Sequence, residues 1–199
     1  MVIAPRPFSA AILAGGQSSR LGYPKALLRL GTGHVLVEDL ARRLGTISDD
    51  VFIVANDARV AVPGIPSWPD LIPGKAALGG ILTAIEEARF DRVFVTACDM
   101  PYLSTELVSA LARIDGDVVV PTVEGRLQPL FAMYSRRCAS SIRERLVSDD
   151  LRVVGFFPSV DTRVVTEADV RSNDPDLASF RNMNTPATLR ENYEWLNGE

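Results

Sequence analysis

The sequence predicts a three-layer α/β/α fold, in which a mostly parallel sheet carries helices on both faces. Residues 9–14 and 51–55 are short and continuously apolar, as buried strands are. Residues 35–44 instead have apolar side chains at helical spacing and end at a glycine. Since strands that are apolar on both sides need cover on both sides, alternation of the two patterns favours a parallel sheet between helical layers.

The same patterns predict the remaining elements in order. Further strands are expected over residues 93–98, 118–120, 130–134 and 160–166. Further helices are expected over residues 76–88, from Ser104 onward, over 136–147 and over 186–196. Ser104 suits a helix cap, and Pro186 suits a first helical turn. Residues 149–176 are the least regular part and are interpreted as an extension of one domain spanning residues 1–199.

Composition excludes several classes of protein. The net charge is −4 and no basic stripe is present, which argues against a nucleic-acid surface. No apolar run approaches the ~20 residues that cross a bilayer. The first apolar run leads directly into a glycine loop and is interpreted as a strand, so the cytoplasm is the expected location. Cys98 and Cys138 are expected to be buried as small hydrophobic residues.

The first candidate site follows the first strand, at Leu13, Ala14, Gly15 and Gly16. Paired glycines let a ligand approach the backbone closely and let N–H groups turn toward phosphate. Arg20 and Lys25 then supply cations that a polyphosphate needs. The alternative is a flexible turn with solvated cations, and the loop matches neither the P-loop nor the GxGxxG pattern. Glycines and cations together favour phosphate binding.

The second candidate is Asp99, in the run Cys98-Asp99-Met100-Pro101 after a predicted strand. A carboxylate at the carboxyl end of a central parallel strand is well placed to hold Mg²⁺ against phosphates. The alternative role is to cap the helix that starts near Ser104.

A third candidate combines Asn56, which follows the second strand, with Asp70 and with Gly79 in the segment Leu78-Gly79-Gly80. Asn and Asp side chains at strand ends can hydrogen-bond a base or ribose, and glycines at a helix start leave room for a flat ring. The alternative for Asn56-Asp57 is an ordinary turn. The pairing with the other motifs favours a site.

The fourth candidate lies in the C-terminal half, where Arg126, Gln128, Asn182 and Asn184 offer neutral hydrogen-bonding groups and one cation. This set suits a phosphorylated heteroaromatic acceptor. Hairpin residues and a helix cap are the alternatives. His34 is the one histidine and is expected to be solvated rather than catalytic, and no GxSxG or Ser-His-Asp set is present.

These motifs, in this order, resemble the molybdenum cofactor guanylyltransferase family. The resemblance covers nearly the whole chain, from the loop at Leu13–Lys25 through CDMP to the closing Asn182-Met183-Asn184-Thr185-Pro186. The glycine loop alone marks only the broader nucleotidyltransferase superfamily, and its combination with the later motifs is more specific. Two positions depart from the family pattern: Pro24 replaces the usual acidic residue, and Gln128 replaces a common His.

The resemblance implies a Rossmann-like fold and transfer of GMP from GTP to molybdopterin or molybdenum cofactor, with Mg²⁺. It divides the chain into a nucleotide-binding half (residues 1–110) and an acceptor-binding half (residues 111–199). It also implies catalytic roles for Arg20, Lys25 and Asp99, the last as metal ligand. The nucleotide would contact Leu13, Ala14, Gly15, Gly16, Arg20, Lys25, Asn56, Asp70, Gly79 and Asp99. The acceptor would contact Arg126, Gln128, Asn182 and Asn184.

Other functions remain open at this point. A cytidylyltransferase acting on the same cofactor would share the chemistry, although Gly15-Gly16 favours guanine. A sugar-phosphate nucleotidyltransferase is a second alternative. A non-catalytic carrier of nucleotide or cofactor is a third, from a different class. Molybdoenzymes or cofactor-delivery proteins are the expected protein partners in the guanylyltransferase interpretation.

Overall fold

The computed structural model describes residues 7–15, 25–28 and 34–181, and within them eight strands form one mixed sheet. The strands are β1 (Ser9–Leu13), β2 (Val51–Val54), β3 (Ser67–Trp68), β4 (Arg92–Ala97), β5 (Val118–Val123), β6 (Arg126–Leu127), β7 (Phe131–Ser135) and β8 (Thr162–Val165). Their spatial order is β3-β2-β1-β4-β7-β5-β6, and β8 pairs with β5.

Most of the sheet is parallel, as the sequence predicts. β3, β2, β1 and β4 run in one direction, and β8 runs parallel to β5. β7 is inserted between β4 and β5 and is antiparallel to both. The carboxyl ends of β1, β2 and β4 therefore meet at one edge of the sheet, the edge where ligands bind in such folds.

Helices cover both faces. They are α1 (Leu36–Leu44), α2 (Ala76–Glu87), α3 (Thr105–Ala112), α4 (Cys138–Val147) and α5 (Glu167–Arg171). α1, α3 and α5 contribute to the hydrophobic core on one face, and α2 and α4 to the core on the other. Among the described residues, none of these helices has both the length and the apolar character needed to span a bilayer. The three-layer prediction is confirmed.

Strand β1 shows why the apolar runs are continuous. Ala10 and Ile12 pack into the core beneath α1, while Ala11 and Leu13 pack beneath α2. Every residue of this strand is buried. A central strand with helices on both sides must be apolar at every position, because successive side chains point to opposite faces.

The predicted elements that fall within the described residues are confirmed to within a few residues. β3, β6 and α5 were not predicted, and they contain two, two and five residues. Residues 149–176 contain a 3-10 helix (Val153–Ser159), β8 and α5, and β8 joins the sheet by pairing with β5. The helix expected over residues 186–196 lies outside the described residues.

Candidate active site

The glycine loop leaves the sheet beside β2. The backbone N–H of Ala14 donates to the carbonyl of Val54 at 2.9 Å and extends the pairing of β1 with β2 by one residue. Gly15 is then exposed, and a Cβ added there would meet no atom of the described chain within 4 Å. The fold itself does not require a glycine at this position, so the open space is available to a ligand that contacts the backbone.

The CDMP turn lies directly against this loop. The Cys98 N–H donates to the carbonyl of Leu13 at 3.1 Å, so the ends of β1 and β4 are hydrogen-bonded neighbours. The Met100 N–H donates to the Ala97 carbonyl at 3.4 Å and closes the turn around the half-buried Asp99. Asp99 is thus placed beside the glycine loop, as metal binding to a nucleotide phosphate would require.

Capping of α3 does not depend on Asp99. The Ser104 hydroxyl accepts a hydrogen bond from the Leu107 N–H at 3.1 Å, which is the expected N-cap arrangement. Because Ser104 provides the cap, the alternative role considered for Asp99 is taken by another residue.

Asn56 and Asp70 face each other at the end of β2. The Asn56 Nδ2 donates to Asp70 Oδ2 at 2.7 Å, and the Asp70 N–H donates to Asn56 Oδ1 at 2.9 Å. Asn56 is therefore more than a turn residue, since both polar groups of its side chain hold Asp70. The pairing leaves the second carboxylate oxygen, Oδ1, directed toward α2, where it lies 3.7 Å from the position of a Cβ added at Gly80.

The segment after Asp70 is fixed to α2 by a buried hydroxyl. Thr83 is fully buried; its Oγ1 accepts the Leu71 N–H at 3.0 Å and donates to the Gly79 carbonyl at 3.0 Å. Gly79 is required by packing, because an added Cβ would lie 2.9 Å from the Cβ of Lys75. Gly80 is also buried, and an added Cβ there would lie 3.3 Å from Leu13 Cδ1, so α2 packs closely against the end of β1 at this position. The sequence pattern did not predict the role of Thr83 or the close packing at the two glycines.

The segment with Arg126 and Gln128 returns to the end of β4. β5 and β6 form a hairpin, and the Gln128 N–H donates to the carbonyl of Pro121 at 2.9 Å. Two residues later, the Leu130 carbonyl accepts the Ala97 N–H at 3.1 Å. Arg126 is exposed and Gln128 is half-buried. The hairpin interpretation and the acceptor interpretation are compatible, because the hairpin carries these residues toward the CDMP turn.

Other predicted site residues lie outside the described part of the chain: Gly16, Arg20, Asn182 and Asn184. Lys25 begins a 3-10 turn (Lys25–Leu27), and its side chain is likewise outside the described part. The described chain ends at Arg181, close to β7, because the ring of Phe180 packs on that of Phe131 with centroids 5.0 Å apart. Phe131 pairs with Thr96 near the end of β4.

His34 and the two cysteines were not predicted to take part in catalysis. His34 is exposed, and its Nδ1 lies 3.0 Å from a carboxylate oxygen of Glu38 on α1. Cys138 is buried as expected, and burial raises the pKa of its thiol to about 11. Cys98 is half-buried and packs against the hydrophobic core on the α1 face, so it is less buried than predicted.

The carboxylates of the site fit a metal that arrives with its substrate. Among the described residues, no group of three or more His, Cys, Asp or Glu side chains is arranged to hold an ion. Mg²⁺ differs from structural metals in keeping several waters and taking only one or two carboxylates together with substrate phosphates. Asp99 beside the glycine loop meets that requirement.

Comparison with protein families gives a match over most of the chain. Residues 10–156 match the model of the MobA-like NTP transferase domain. A protein of Carboxydothermus hydrogenoformans named probable molybdenum cofactor guanylyltransferase is 35% identical over 90% of this chain and 91% of its own length. A protein of the same name from Pelotomaculum thermopropionicum is 37% identical over 91% of this chain and 89% of its own.

Solved structures show the same fold. Molybdopterin-guanine dinucleotide biosynthesis protein A from Archaeoglobus fulgidus superposes with a TM-score of 0.84 at 23% identity, over 96% of this chain and 100% of that one. A 2-C-methyl-D-erythritol 4-phosphate cytidylyltransferase from Thermus thermophilus gives 0.68 at 17% identity, over 96% and 99%. With the glycine loop and the CDMP turn in contact and relatives matched over nearly their full length, the chain belongs to the molybdenum cofactor guanylyltransferase family of nucleotidyltransferases.

Proposed function

We propose that this protein transfers GMP from GTP to the terminal phosphate of molybdopterin or molybdenum cofactor, forming the guanine dinucleotide and releasing pyrophosphate. The observation that carries the proposal is the 3.1 Å hydrogen bond between Cys98 N–H and the Leu13 carbonyl. It sets a backbone suited to phosphates beside a carboxylate suited to Mg²⁺. The relatives that match this chain over nearly their full length are named molybdenum cofactor guanylyltransferases, and that name supports the choice of substrates.

The nucleotide is proposed to lie over the ends of β1, β2 and β4. Gly15 and Gly16 would contribute backbone N–H groups, and Arg20 and Lys25 would neutralise the phosphates. Ala14, whose N–H is bonded to Val54, would contact the nucleotide by its side of the loop without donating that N–H. The full proposed set is Leu13, Ala14, Gly15, Gly16, Arg20, Lys25, Asn56, Asp70, Gly79 and Asp99.

Base choice is proposed to rest on Asp70. Guanine presents two adjacent donors, N1–H and the N2 amino group, and Asp70 Oδ1, the oxygen that Asn56 does not bind, would accept from this donor edge. Cytosine and adenine each present an acceptor next to their amino group, and that acceptor would be repelled. Leu13 packs against Gly80 next to Asp70 Oδ1, and its side chain would give the base an apolar surface there.

The reaction needs alignment and charge neutralisation more than proton transfer. The terminal phosphate of molybdopterin is largely a dianion at neutral pH, because the second pKa of a phosphate monoester is near ~6. One of its oxygens forms a bond to the α-phosphorus of GTP, and the bond from that phosphorus to the bridging oxygen breaks as pyrophosphate leaves. A general base is not required, which agrees with the solvated position of His34.

Arg20, Lys25 and Asp99 are the proposed catalytic residues. Arg20 and Lys25 would stabilise the charge on the phosphates, and Asp99 would hold Mg²⁺. When bound, the metal supplies positive charge for the triphosphate and the departing pyrophosphate. Chelation of divalent metal is expected to abolish turnover.

The acceptor is proposed to bind on the side of β5, β6 and β7. Arg126, Gln128, Asn182 and Asn184 would contact it, with Arg126 as the cation for its phosphate. GTP and the molybdenum cofactor are the proposed small-molecule partners, and molybdoenzymes or delivery proteins would receive the product. The cytoplasm is the proposed location, since nucleoside triphosphates are available there.

The direct test is pyrophosphate release by purified protein with Mg²⁺ and molybdopterin, comparing GTP with CTP, ATP and UTP. Release that requires both GTP and molybdopterin is the expected result. Release with CTP would place the protein among cytidylyltransferases, and release with a sugar phosphate in place of molybdopterin would change the acceptor. Binding of GTP without pyrophosphate release under any of these conditions would favour a carrier.

A further inference from the structure

Helix α5 is hydrogen-bonded to the turn of the β5–β6 hairpin. Glu167, its first residue, accepts the backbone N–H of Glu124 at 2.8 Å through Oε2. Its other oxygen, Oε1, accepts from Nε and Nη2 of Arg171 at 3.0 and 2.8 Å. The Glu124 N–H and the Arg171 guanidinium lower the pKa of the Glu167 carboxyl, so the group is ionised at neutral pH.

The hairpin turn between β5 and β6 has an unusual backbone conformation. Glu124 and Gly125 have φ angles of 51° and 71°, the left-handed conformation of a two-residue hairpin turn. A residue with a side chain, such as glutamate, is strained in this conformation. The hydrogen bond that the Glu124 N–H donates to Glu167 offsets that strain, and the turn leads directly into Arg126.

The other end of α5 leads into a hydrogen-bonded turn over residues 174–181. Arg171 Nη1 donates to the carbonyl of Pro175 at 2.8 Å. The buried Asp174 then accepts the N–H groups of Ala178 and Ser179 at 3.0 and 2.9 Å. The Ser179 hydroxyl in turn accepts the N–H of Ser104 at 2.9 Å, which fixes this turn to the start of α3. The chain leaves this turn one residue before Asn182.

We propose that Glu167 and Arg171 are positioning residues for the acceptor: from the start of α5 they hold the turn of the hairpin that carries Arg126 and Gln128. The inference rests on the proposed function, because this hairpin was assigned to the acceptor there. Neither Glu167 nor Arg171 is placed among the reacting groups. They act by fixing the hairpin turn, through the Glu124 N–H, to a helix that is distant from it in sequence.

The test compares Glu167→Ala with Glu86→Ala. Glu86 is a matched control because it also pairs with an arginine, Arg143, at 2.8 Å, and its side chain is 30% exposed against 34% for Glu167. Its partner lies on α4, away from the hairpin. Steady-state kinetics are measured with GTP and molybdopterin varied in turn, and thermal unfolding checks that each variant is folded.

For Glu167→Ala we expect the KM for molybdopterin to rise roughly five- to tenfold, the scale of one lost hydrogen bond, with the KM for GTP unchanged. Hydrogen exchange of the Glu124 amide should accelerate in Glu167→Ala and not in Glu86→Ala. Glu167→Gln should recover part of the acceptor KM, because its amide oxygen can still accept the Glu124 N–H.

Two failures are distinguishable. If the wild-type protein releases no pyrophosphate, the proposed function is wrong and the acceptor role of α5 falls with it. If the wild type is active, an unchanged acceptor KM in Glu167→Ala, or an equal rise of both KM values, overturns the positioning role alone. An unchanged exchange rate at Glu124 would also overturn it.

Discussion

The Asn56 side chain makes two hydrogen bonds to Asp70 across a separation of 14 residues: its Nδ2 donates to Asp70 Oδ2 at 2.7 Å, and its Oδ1 accepts the Asp70 backbone N–H at 2.9 Å. One carboxylate oxygen of Asp70 is thereby bound to the Asn56 amide. The other, Oδ1, is held toward α2 at Gly80. A carboxylate fixed in advance loses little freedom on binding, so Asn56 contributes to recognition by orienting Asp70.

The first prediction concerns the base. In Asp70→Asn, the new amide oxygen would keep the hydrogen bond from Asn56, and its amino group would turn toward the base. A donor would then face the donors of guanine. We expect kcat/KM for GTP to fall roughly 10- to 100-fold, the scale of one lost hydrogen bond to a charged group, with a smaller effect on CTP and ATP.

Asp57→Asn is the control, since Asp57 pairs with the exposed Arg59 at 2.6 Å in the neighbouring turn. It should retain wild-type kinetics. Pyrophosphate release with each nucleotide decides the matter, and an unaltered preference for GTP in Asp70→Asn would remove Asp70 from base recognition.

The second prediction concerns Thr83, the buried hydroxyl that joins the Asp70 segment to α2. Thr83→Val leaves the Leu71 N–H without its acceptor and should cost about 1–3 kcal/mol of stability. It should also raise the KM for GTP several-fold, because Asp70 precedes the released residue. Thr83→Ser keeps the hydroxyl and should stay closer to wild type in both respects. Chemical denaturation and GTP kinetics test this, and equal behaviour of the two variants would contradict it.

The third prediction concerns backbone strain at the start of α2. Ala76 has a φ of 49°, a conformation that costs an L-residue about 1 kcal/mol. Ala76→Gly should therefore raise Tm by roughly 2–4 °C. Ala77→Gly, one residue further into the helix, should instead lower stability by roughly 0.5–1 kcal/mol. Thermal unfolding of the two variants gives the sign directly, and a lower Tm for Ala76→Gly would be inconsistent with strain at this position.

The fourth prediction concerns charge neutralisation. Lys25→Ala and Asp99→Ala should each lower turnover roughly 10²-fold or more, the usual scale for one electrostatic contact to a transition state. Asp99→Ala should in addition need more Mg²⁺ for half-maximal activity. Asp91→Ala is the control for Asp99, because Asp91 is exposed just before the opposite end of β4. Near-normal turnover in either active-site variant would refute its catalytic role.

Sequence patterns predicted the elements that are long and buried. β1, β2 and β4 are mostly apolar because helices cover both of their faces. β3 and β6 have two residues each, which is too short for any periodicity to register. The direction of β7 was also beyond prediction, since a buried strand has the same apolar pattern whether its neighbours are parallel or antiparallel.

The candidate site divides in a similar way. Asn56 and Asp99 were predicted because they directly follow strands, and the carboxyl ends of parallel strands share an edge. Thr83 and Glu167 were not, because their roles depend on contacts with backbone N–H groups 12 and 43 residues away. A threonine in a helix and a glutamate in a short charged segment have nothing in their own neighbourhood to mark them.

The position of β7 has a consequence for synthesis on the ribosome. β4 pairs on one side with β1, which is made before it, and on the other with β7, which is made after α3 and β5. Until residues 131–135 emerge, the nascent chain carries a mostly apolar strand with one open edge, the kind of surface that pairs with other chains. A pause in translation between β4 and β7 lengthens the time for which this edge is exposed. The yield of native protein should therefore depend on the elongation rate over this interval and on chaperones that bind the exposed strand.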